Sequence, residues 1–245
     1  MSKSKKFKNA ALLIIGNEIL SGRTQDKNIN YLAKQLFSHG ISLEEVRVIP
    51  DVKSTIIKTV KSSKNNFNYI ISTGGIGATH DDITAESISA ALKKDYCLNK
   101  KALKELEKYY KNKSDLTDAR KKMAYMPKGS KIILNKVSGA PGFQIENIYV
   151  FAGIPIIVEA MMKEFLKNIK SNTKIYSKSI KTKFFESMIA QKLKNTEIEF
   201  TDVRVGSYPI FDGKFRGVEI VMNSYSKKNI DLAFKYLKKE LNKKI

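Results

Sequence analysis

Short apolar runs alternate along the chain with segments in which apolar residues recur every three or four positions. Residues 10–15 are apolar throughout, which is typical of a parallel strand buried on both faces. Behind them, Ile29, Leu32 and Leu36 fall at helical spacing, and Asn28 is the predicted N-cap of that helix. Because strands alternating with helices require right-handed crossovers, the pattern predicts an α/β fold with a mostly parallel sheet.

The same pattern predicts further elements and a division of the chain. Strands are predicted at residues 42–49, 69–71, 132–134 and 148–151, a rigid loop at 139–143, and a helix at 115–124 capped by Ser114. The pattern changes at residues 170–173. We therefore predict a larger α/β domain over residues 1–170 and a small α+β domain over residues 171–245. Ile230, Ala233, Leu237 and Leu241 form the buried stripe of the last predicted helix.

Composition narrows the classes of protein to consider. The 245 residues carry a formal net charge of +21, but the basic residues are nearly all lysines spread along the chain. Because nucleic-acid binders concentrate charge on one face and read base edges with arginine, we expect no specific nucleic-acid target. Cys97 is the single cysteine, which excludes an internal disulfide and fits a reducing, cytoplasmic location. No apolar run has the length of a membrane span.

The sharpest local signal is the stretch from Tyr69 to Thr84. A short apolar strand leads into Gly74, Gly75 and Gly77, and the carboxylates Asp81 and Asp82 follow before a helical pattern begins. Glycines let the backbone turn sharply and approach a ligand, and N–H groups at such a turn can bind an anion. The stretch therefore predicts a loop that binds a phosphate-bearing small molecule, with Asp81 or Asp82 acting in catalysis or holding a metal ion.

A simpler interpretation is a tight turn in which Asp81 or Asp82 caps a helix, and Asp51 caps the helix after Pro50. Three other polar or glycine-containing segments, at residues 16–18, 50–51 and 153–155, also follow predicted strands. In a parallel sheet these loops meet at one edge, where ligands bind. Asp51 and Glu18 are thus further candidate site residues. His80 lies in the same loop, but a histidine in an exposed turn is common and needs no catalytic role.

Five motifs occur in order over residues 10 to about 170. They are Gly16-Asn-Glu-Ile-Leu-Ser-Gly22, Asp26-Lys-Asn28, Thr73-Gly-Gly-Ile-Gly-Ala-Thr-His-Asp-Asp-Ile-Thr84, Ala140-Pro-Gly-Phe143 and Gly153-Ile-Pro155. Together they resemble the molybdopterin-binding (molybdenum cofactor biosynthesis) domain, in the branch found at the N-terminus of competence/damage-inducible protein A. Asn17 stands where that branch has Asp, and Ala78 where it has Pro. The amidase domain of the longer competence proteins has no counterpart here, so we transfer no deamidase activity.

The resemblance implies a three-layer αβα domain with a mostly parallel sheet. It places the functional acids, as catalytic residues and ligands of a divalent metal (Mg, Mn or Co), at Asp51 and Asp82. The implied phosphate- and ligand-binding residues are Thr73, Gly74, Gly75, Gly77, Thr79, Glu18, Asn28, Gly153 and Pro155. The small C-terminal domain is expected to serve packing or self-association, since relatives in this family are oligomers.

Two chemistries remain open at this point. The competence branch resembles a metal-dependent pyrophosphatase that releases AMP from ADP-ribose or FAD, whereas related proteins bind molybdopterin or adenylate it. Both act on a phosphoanhydride and need donors on phosphate oxygens with a cation opposite the reacting phosphorus. A third hypothesis is that the protein is a binding or regulatory module without catalytic activity. The expected ligand in each is a nucleotide or a pterin phosphate.

Overall fold

The computed structural model describes residues 8–169, 174–211, 213 and 216–242, and its contacts divide the chain into two compact units, 1–170 and 171–245. The strands are β1 (Lys8–Ile15), β2 (Ile41–Ile49), β3 (Tyr69–Thr73), β4 (Tyr96–Leu98), β5 (Tyr125–Pro127), β6 (Lys131–Ile133), β7 (Gly142–Ile145), β8 (Ile148–Phe151), β9 (Tyr176–Thr182), β10 (Val203–Phe211) and β11 (Arg216–Ser224). The helices are α1 (Asn17–Leu20), α2 (Asn28–Ser38), α3 (Lys53–Ser63), α4 (Thr84–Ala91), α5 (Lys100–Tyr109), α6 (Asp118–Lys121), α7 (Pro155–Lys167), α8 (Glu186–Glu199) and α9 (Lys227–Asn242).

The larger unit is built on a six-stranded sheet in the order β2-β1-β3-β8-β7-β6. The four strands β2, β1, β3 and β8 run parallel, and the β8–β7 and β7–β6 pairs are antiparallel. Strand β1 lies between two partners, and every residue from Ala10 to Ile15 is at most 3% exposed. The predicted α/β fold with a mostly parallel sheet is confirmed.

Two apolar cores pack against opposite faces of this sheet. Leu13 and Ile15 of β1 join residues of α3, α4 and α5 on one face, while Leu12 and Ile14 join residues of α2 and α7 on the other. Helices therefore cover both faces, which gives the three-layer αβα arrangement. This layering explains why β1 reads as a continuous apolar run, because neither of its faces meets water.

The smaller unit has an antiparallel sheet in the order β10-β11-β9 and the helices α8 and α9. Ile189 of α8 and Val218 and Ile220 of β11 are buried in its core. The stripe predicted for the last helix is buried as well: Ile230, Ala233, Leu237 and Leu241 are all at most 6% exposed. It is an α+β unit with its own apolar core.

Several local predictions are wrong. The segment 139–143 is not wholly loop, because β7 begins at Gly142 and pairs with both β6 and β8. The predicted helix 115–124 is broken: only Asp118–Lys121 is α-helical, it is flanked by 3₁₀ turns, and Thr117 rather than Ser114 caps it. Strands β4 and β5, too short to show a period, had no counterpart among the predicted elements.

Within the described part of the chain, no helix combines the length and the apolar composition that crossing a membrane requires.

Asn147 bonds twice to the connection between α3 and β3, which gives a test of the fold. Asn147 Nδ2 donates hydrogen bonds to the carbonyls of Lys64 and Phe67, at 2.9 and 2.8 Å. Asn147→Ala leaves both carbonyls without this donor, so we expect the free energy of unfolding to fall by about 1–3 kcal/mol in urea titrations. Asn65→Ala, at an exposed position of the same connection, is the matched control and should change it by less than about 0.5 kcal/mol. Equal losses in the two variants would contradict this role of Asn147.

Candidate functional site

The loops that follow the four parallel strands meet at one edge of the sheet. The Gly16 N–H, just after β1, donates to the carbonyl of Ile49 at the end of β2, and the Gly74 N–H, just after β3, donates to the carbonyl of Phe151 at the end of β8. A cleft of about 530 Å³ opens at this edge. This is the position at which open α/β sheets bind ligands.

Most of the predicted site residues line this cleft. They are Glu18, Asp51, Gly74, Gly75, Gly77, Thr79, Asp82, Gly153 and Pro155. Thr73 and Asn28 do not; they line an adjoining recess of about 70 Å³ and are 1% and 6% exposed. The structure thus brings the acids and the glycines together and places Thr73 and Asn28 behind them.

The Asn28 side chain bonds to a loop elsewhere in the fold and does not cap α2. Asn28 is the first residue of α2 rather than its N-cap, and Asp26 accepts the Ile29 N–H at 2.7 Å instead. The Asn28 side chain donates to the carbonyl of Gly153 at 2.8 Å. The N-cap prediction is therefore wrong, because a contact across the fold takes this amide. Asn28 joins the start of α2 to the loop after β8.

Asp51 does not cap the helix that follows it. Its Oδ2 accepts the backbone N–H of Asn17 at 2.8 Å, and the N-cap of α3 is Val52, which makes no side-chain bond. Because this bond joins the loop after β2 to the loop after β1, it fixes the carboxylate at the cleft and leaves Oδ1 free of it. A local capping rule cannot find a contact between two loops 34 residues apart.

Asp82 is held within the glycine loop. Its Oδ2 accepts the Thr79 N–H at 2.9 Å and lies 2.6 Å from the Thr79 hydroxyl oxygen, whose one proton it shares with Asp81, and α4 has no side-chain cap. The same hydroxyl lies 2.5 Å from Asp81 Oδ1, and this hydrogen bond is the main reason why the pKa of Asp81 is below its ordinary value. The Lys122 ammonium donates to the Thr79 carbonyl at 2.7 Å and holds the loop from outside. Asp81 and Asp82 therefore line the cleft, and neither caps α4.

The glycines are required by what stands next to them. Gly74 has φ +99°, and a Cβ there would lie 2.1 Å from the carbonyl oxygen of Ile15. Gly75 has φ +66°, and its Cβ would lie 2.2 Å from the Thr84 hydroxyl. At Gly77 a Cβ would lie 2.5 Å from Asp82 Oδ2. The glycines of this loop therefore make room for the backbone of β1, for Thr84 and for Asp82.

The sequence prediction missed the other walls of the cleft. Thr24, Ser138 and Met123 also line it, with the apolar side chains of Ile76, Ile154 and Ile157. Ser138 stands beside the Ala140-Pro-Gly-Phe motif, so its neighbourhood carried a signal. Met123 lies in the segment between α6 and β5, whose path no periodicity predicts. Ile76, Met123, Ile154 and Ile157 thus add apolar side chains to a lining that also carries carboxylates.

The cleft is acidic although the protein is strongly basic. Glu18, Asp51, Asp81 and Asp82 line it, and its described lining includes no lysine, arginine or histidine. Among the residues that the structure describes, no three His, Cys, Asp or Glu side chains are grouped closely enough to hold a metal ion together. Carboxylate oxygens are the donors that hard divalent cations such as Mg²⁺ prefer.

Comparison with known proteins supplies the family. Residues 11–171 match the family described as "Probable molybdopterin binding domain". The chain belongs to this molybdopterin-binding family, as a CinA-like member. Residues 174–245 match the middle domain of FAD synthase. The resemblance inferred from the five motifs is confirmed.

Individual relatives agree with this family. A protein of Archaeoglobus fulgidus is 32% identical, with 95% of this chain and 98% of the relative covered. A CinA-like protein of Thermosipho melanesiensis is 31% identical, and the match covers 96% of this chain but 59% of the relative. The crystal structure of CinA from Thermoplasma acidophilum is similar with a TM-score of 0.62 and 31% identity, covering 66% of this chain and 98% of that one.

The close approach of Gly74 to β1 predicts a large effect of a single methyl group. Gly74→Ala combines a positive φ with a collision against a backbone carbonyl that cannot move without breaking the sheet. We expect the free energy of unfolding to fall by about 4 kcal/mol or more, or no folded protein to form. Gly129→Ala is the matched control, since Gly129 has φ +87° with nothing within 4 Å of a Cβ, and it should cost about 1–2 kcal/mol. Urea titration of both variants measures the difference, and similar losses would show that the collision is relieved.

Proposed function

We propose that the chain binds a nucleotide or related phosphate ester in the cleft and hydrolyses its phosphoanhydride bond in a metal-dependent reaction, releasing AMP from ADP-ribose or FAD. The observation that carries the proposal is the placement of Asp51 and Asp82 beside Gly75 and Gly77, in one cleft at the carboxyl ends of parallel strands. Glycine-loop N–H groups bind phosphate oxygens, and two fixed carboxylates supply the ligands and base that phosphoryl chemistry uses.

The shape of the cleft supports a ligand with a flat apolar part and a charged part. Its volume of about 530 Å³ lies within the range of small-molecule sites. Ile76, Met123, Ile154 and Ile157 offer an apolar surface to an aromatic ring, and the acids lie with the glycine loop. A nucleotide or a pterin phosphate has this division between a ring system and a phosphate.

The charge of the cleft supports a divalent cation that arrives with the ligand. Four carboxylates repel a phosphate anion, so the anion needs a counter-charge that no described lining residue supplies. Cations such as Mg²⁺ are usually held by one or two carboxylates together with substrate phosphates and water. Asp51 and Asp82 would hold the cation, whose chemistry when bound is to neutralise charge on the phosphate oxygens.

The hydrolysis assigns a separate task to each group of this chain. A water oxygen attacks one phosphorus of the diphosphate, the bond from that phosphorus to the bridging oxygen breaks, and AMP and a second phosphate ester leave. Asp82 accepts the proton of the attacking water, its carboxylate being kept in place by the Thr79 N–H and hydroxyl. Asp51 stays oriented by the Asn17 N–H.

A second candidate function is binding of a molybdopterin-type ligand without hydrolysis, or its adenylylation. The family match over residues 11–171 favours it, since that family is described as molybdopterin binding. The match of residues 174–245 to a domain of FAD synthase favours a flavin or adenine nucleotide among the ligands to be tested. Turnover separates the candidates, because hydrolysis alone releases AMP from ADP-ribose or FAD.

The first test measures AMP release by chromatography from ADP-ribose, FAD and ATP, each with Mg²⁺, Mn²⁺ or Co²⁺. We expect Asp82→Asn and Asp51→Asn to lower turnover by about 100-fold or more, because an amide neither takes a proton nor offsets a cation. Asp95→Asn, which removes a carboxylate paired with Lys128 away from the cleft, should keep the activity of the unmodified protein. No release of AMP from any substrate would sink the hydrolase proposal for these ligands and favour the binding role.

The incomplete metal ligand set leads to a second expectation. Mn²⁺ should bind the free protein weakly and at least about tenfold more tightly in the presence of ADP-ribose, because the phosphate oxygens complete its coordination. Electron paramagnetic resonance measures free Mn²⁺ directly in both states, and Asp82→Asn should abolish the gain. Equal Mn²⁺ affinity with and without ADP-ribose would show a preformed metal site and contradict this reasoning.

A further inference from the structure

Three hydroxyls at the start of the glycine-loop helix and on the strand before it are buried without a hydrogen bond to any described residue. They belong to Ser72 of β3 and to Thr84 and Ser87 of α4, and all three side chains are fully buried. A buried hydroxyl without a partner costs free energy, and such a group in a folded protein needs an explanation. For Thr84, the last residue of the long glycine motif, the surroundings provide one.

Thr84 and Asp51 both approach Gly75 closely. The point where Gly75 would carry a Cβ lies 2.2 Å from Thr84 Oγ1 and 3.6 Å from Asp51 Oδ1. The Thr84 N–H donates to the Gly75 carbonyl at 3.0 Å, which ties Thr84 to the same turn. Because Gly75 has no side chain, nothing of its own separates the hydroxyl from the carboxylate.

We infer that the Thr84 hydroxyl is a positioning group for Asp51 and donates a hydrogen bond to its Oδ1 when ligand and cation occupy the cleft. Asp51 Oδ2 already accepts the Asn17 N–H at 2.8 Å, so Oδ1 is the atom left for a second donor. A carboxylate oxygen has two lone pairs, so Oδ1 can accept this bond and still face a cation. Held at both oxygens, Asp51 keeps one orientation. The inference rests on the proposed function of the same cleft.

This role has a signature that a structural role lacks. In the free protein the hydroxyl has no partner, so replacing it with the isosteric apolar side chain in Thr84→Val should leave the melting temperature unchanged or raise it by about 1–3 °C. The same variant should lower kcat for AMP release by about tenfold or more, with KM changed by less than about twofold, because orientation of a ligand-holding carboxylate is lost. Thr84→Ser keeps the hydroxyl and should restore most of kcat.

Ser87→Ala is the matched control. Ser87 lies about one turn further along α4, is equally buried and also lacks a hydrogen-bond partner among the described residues. Unlike Thr84, it is not among the atoms that stand next to Gly75 beside Asp51. Its loss should leave the melting temperature unchanged or raised, and kcat should stay at the level of the unmodified protein. In a double variant, Thr84→Val should slow Asp51→Asn no further, since the charged carboxylate that Thr84 orients is then gone.

The measurements separate failure of the inference from failure of the proposed function. Suppose that the unmodified protein releases AMP. If Thr84→Val then keeps the kcat of the unmodified protein, or lowers the kcat of Asp51→Asn by about tenfold, the positioning role is overturned and the hydrolase proposal stands. A melting temperature of Thr84→Val that lies several degrees below that of Ser87→Ala would reveal a structural partner and also overturn it. If the unmodified protein neither releases AMP nor binds Mn²⁺ with ADP-ribose in calorimetry, the proposed function falls first and the inference falls with it.

Discussion

The site depends on how closely the turn after β3 approaches the end of β1. At Gly74 the backbone comes so near the carbonyl of Ile15 that no side chain fits between them, and the Gly74 N–H pairs with the last residue of β8. Gly74 thus brings the carboxyl ends of β1, β3 and β8 close together. Gly153, whose Cβ would stand 3.5 Å from the Gly74 Cα, continues the same close packing. Asp51 and Asp82 are held at this edge by the Asn17 N–H and by Thr79.

The net charge of the protein and the charge of the cleft have opposite signs. A net charge of +21 attracts anionic ligands from solution, although salt screens that field beyond about 8–10 Å. Inside the cleft the sign is reversed, since the charged side chains that line it are carboxylates. Under the proposed function, an anion drawn to the surface enters the cleft together with a cation that offsets the carboxylates. In that proposal the cation and the acids select the ligand inside the cleft, while the lysines raise the rate of encounter.

Sequence patterns predicted the parts of the fold in which local and tertiary demands agree. Residues 10–15 are apolar throughout because β1 is covered on both faces, and the stripe of α9 is apolar because one face packs on a sheet. The same reasoning predicted which loops meet at the cleft. Sequence patterns gave wrong predictions where a side chain can bond either to the nearby helix terminus or to a distant part of the fold. Asn28 and Asp51 both look like helix caps, yet each bonds to a distant loop, and nothing local to the sequence distinguishes the two outcomes.

One edge of the sheet in the smaller unit is poorly suited to pairing with a further strand. Strand β10 lies at one edge of the sheet, and edge strands invite pairing with another strand. Here the Val205 N–H is bonded to the Glu197 carboxylate at 2.8 Å, and Pro209, four residues on and hence turned to the same side, has no N–H to offer. Two of the donors that strand addition needs are thus unavailable along this edge. Pairing of β10 with a further strand is therefore disfavoured, whereas exposed apolar side chains such as Phe185 and Met188 offer another kind of contact surface on this unit.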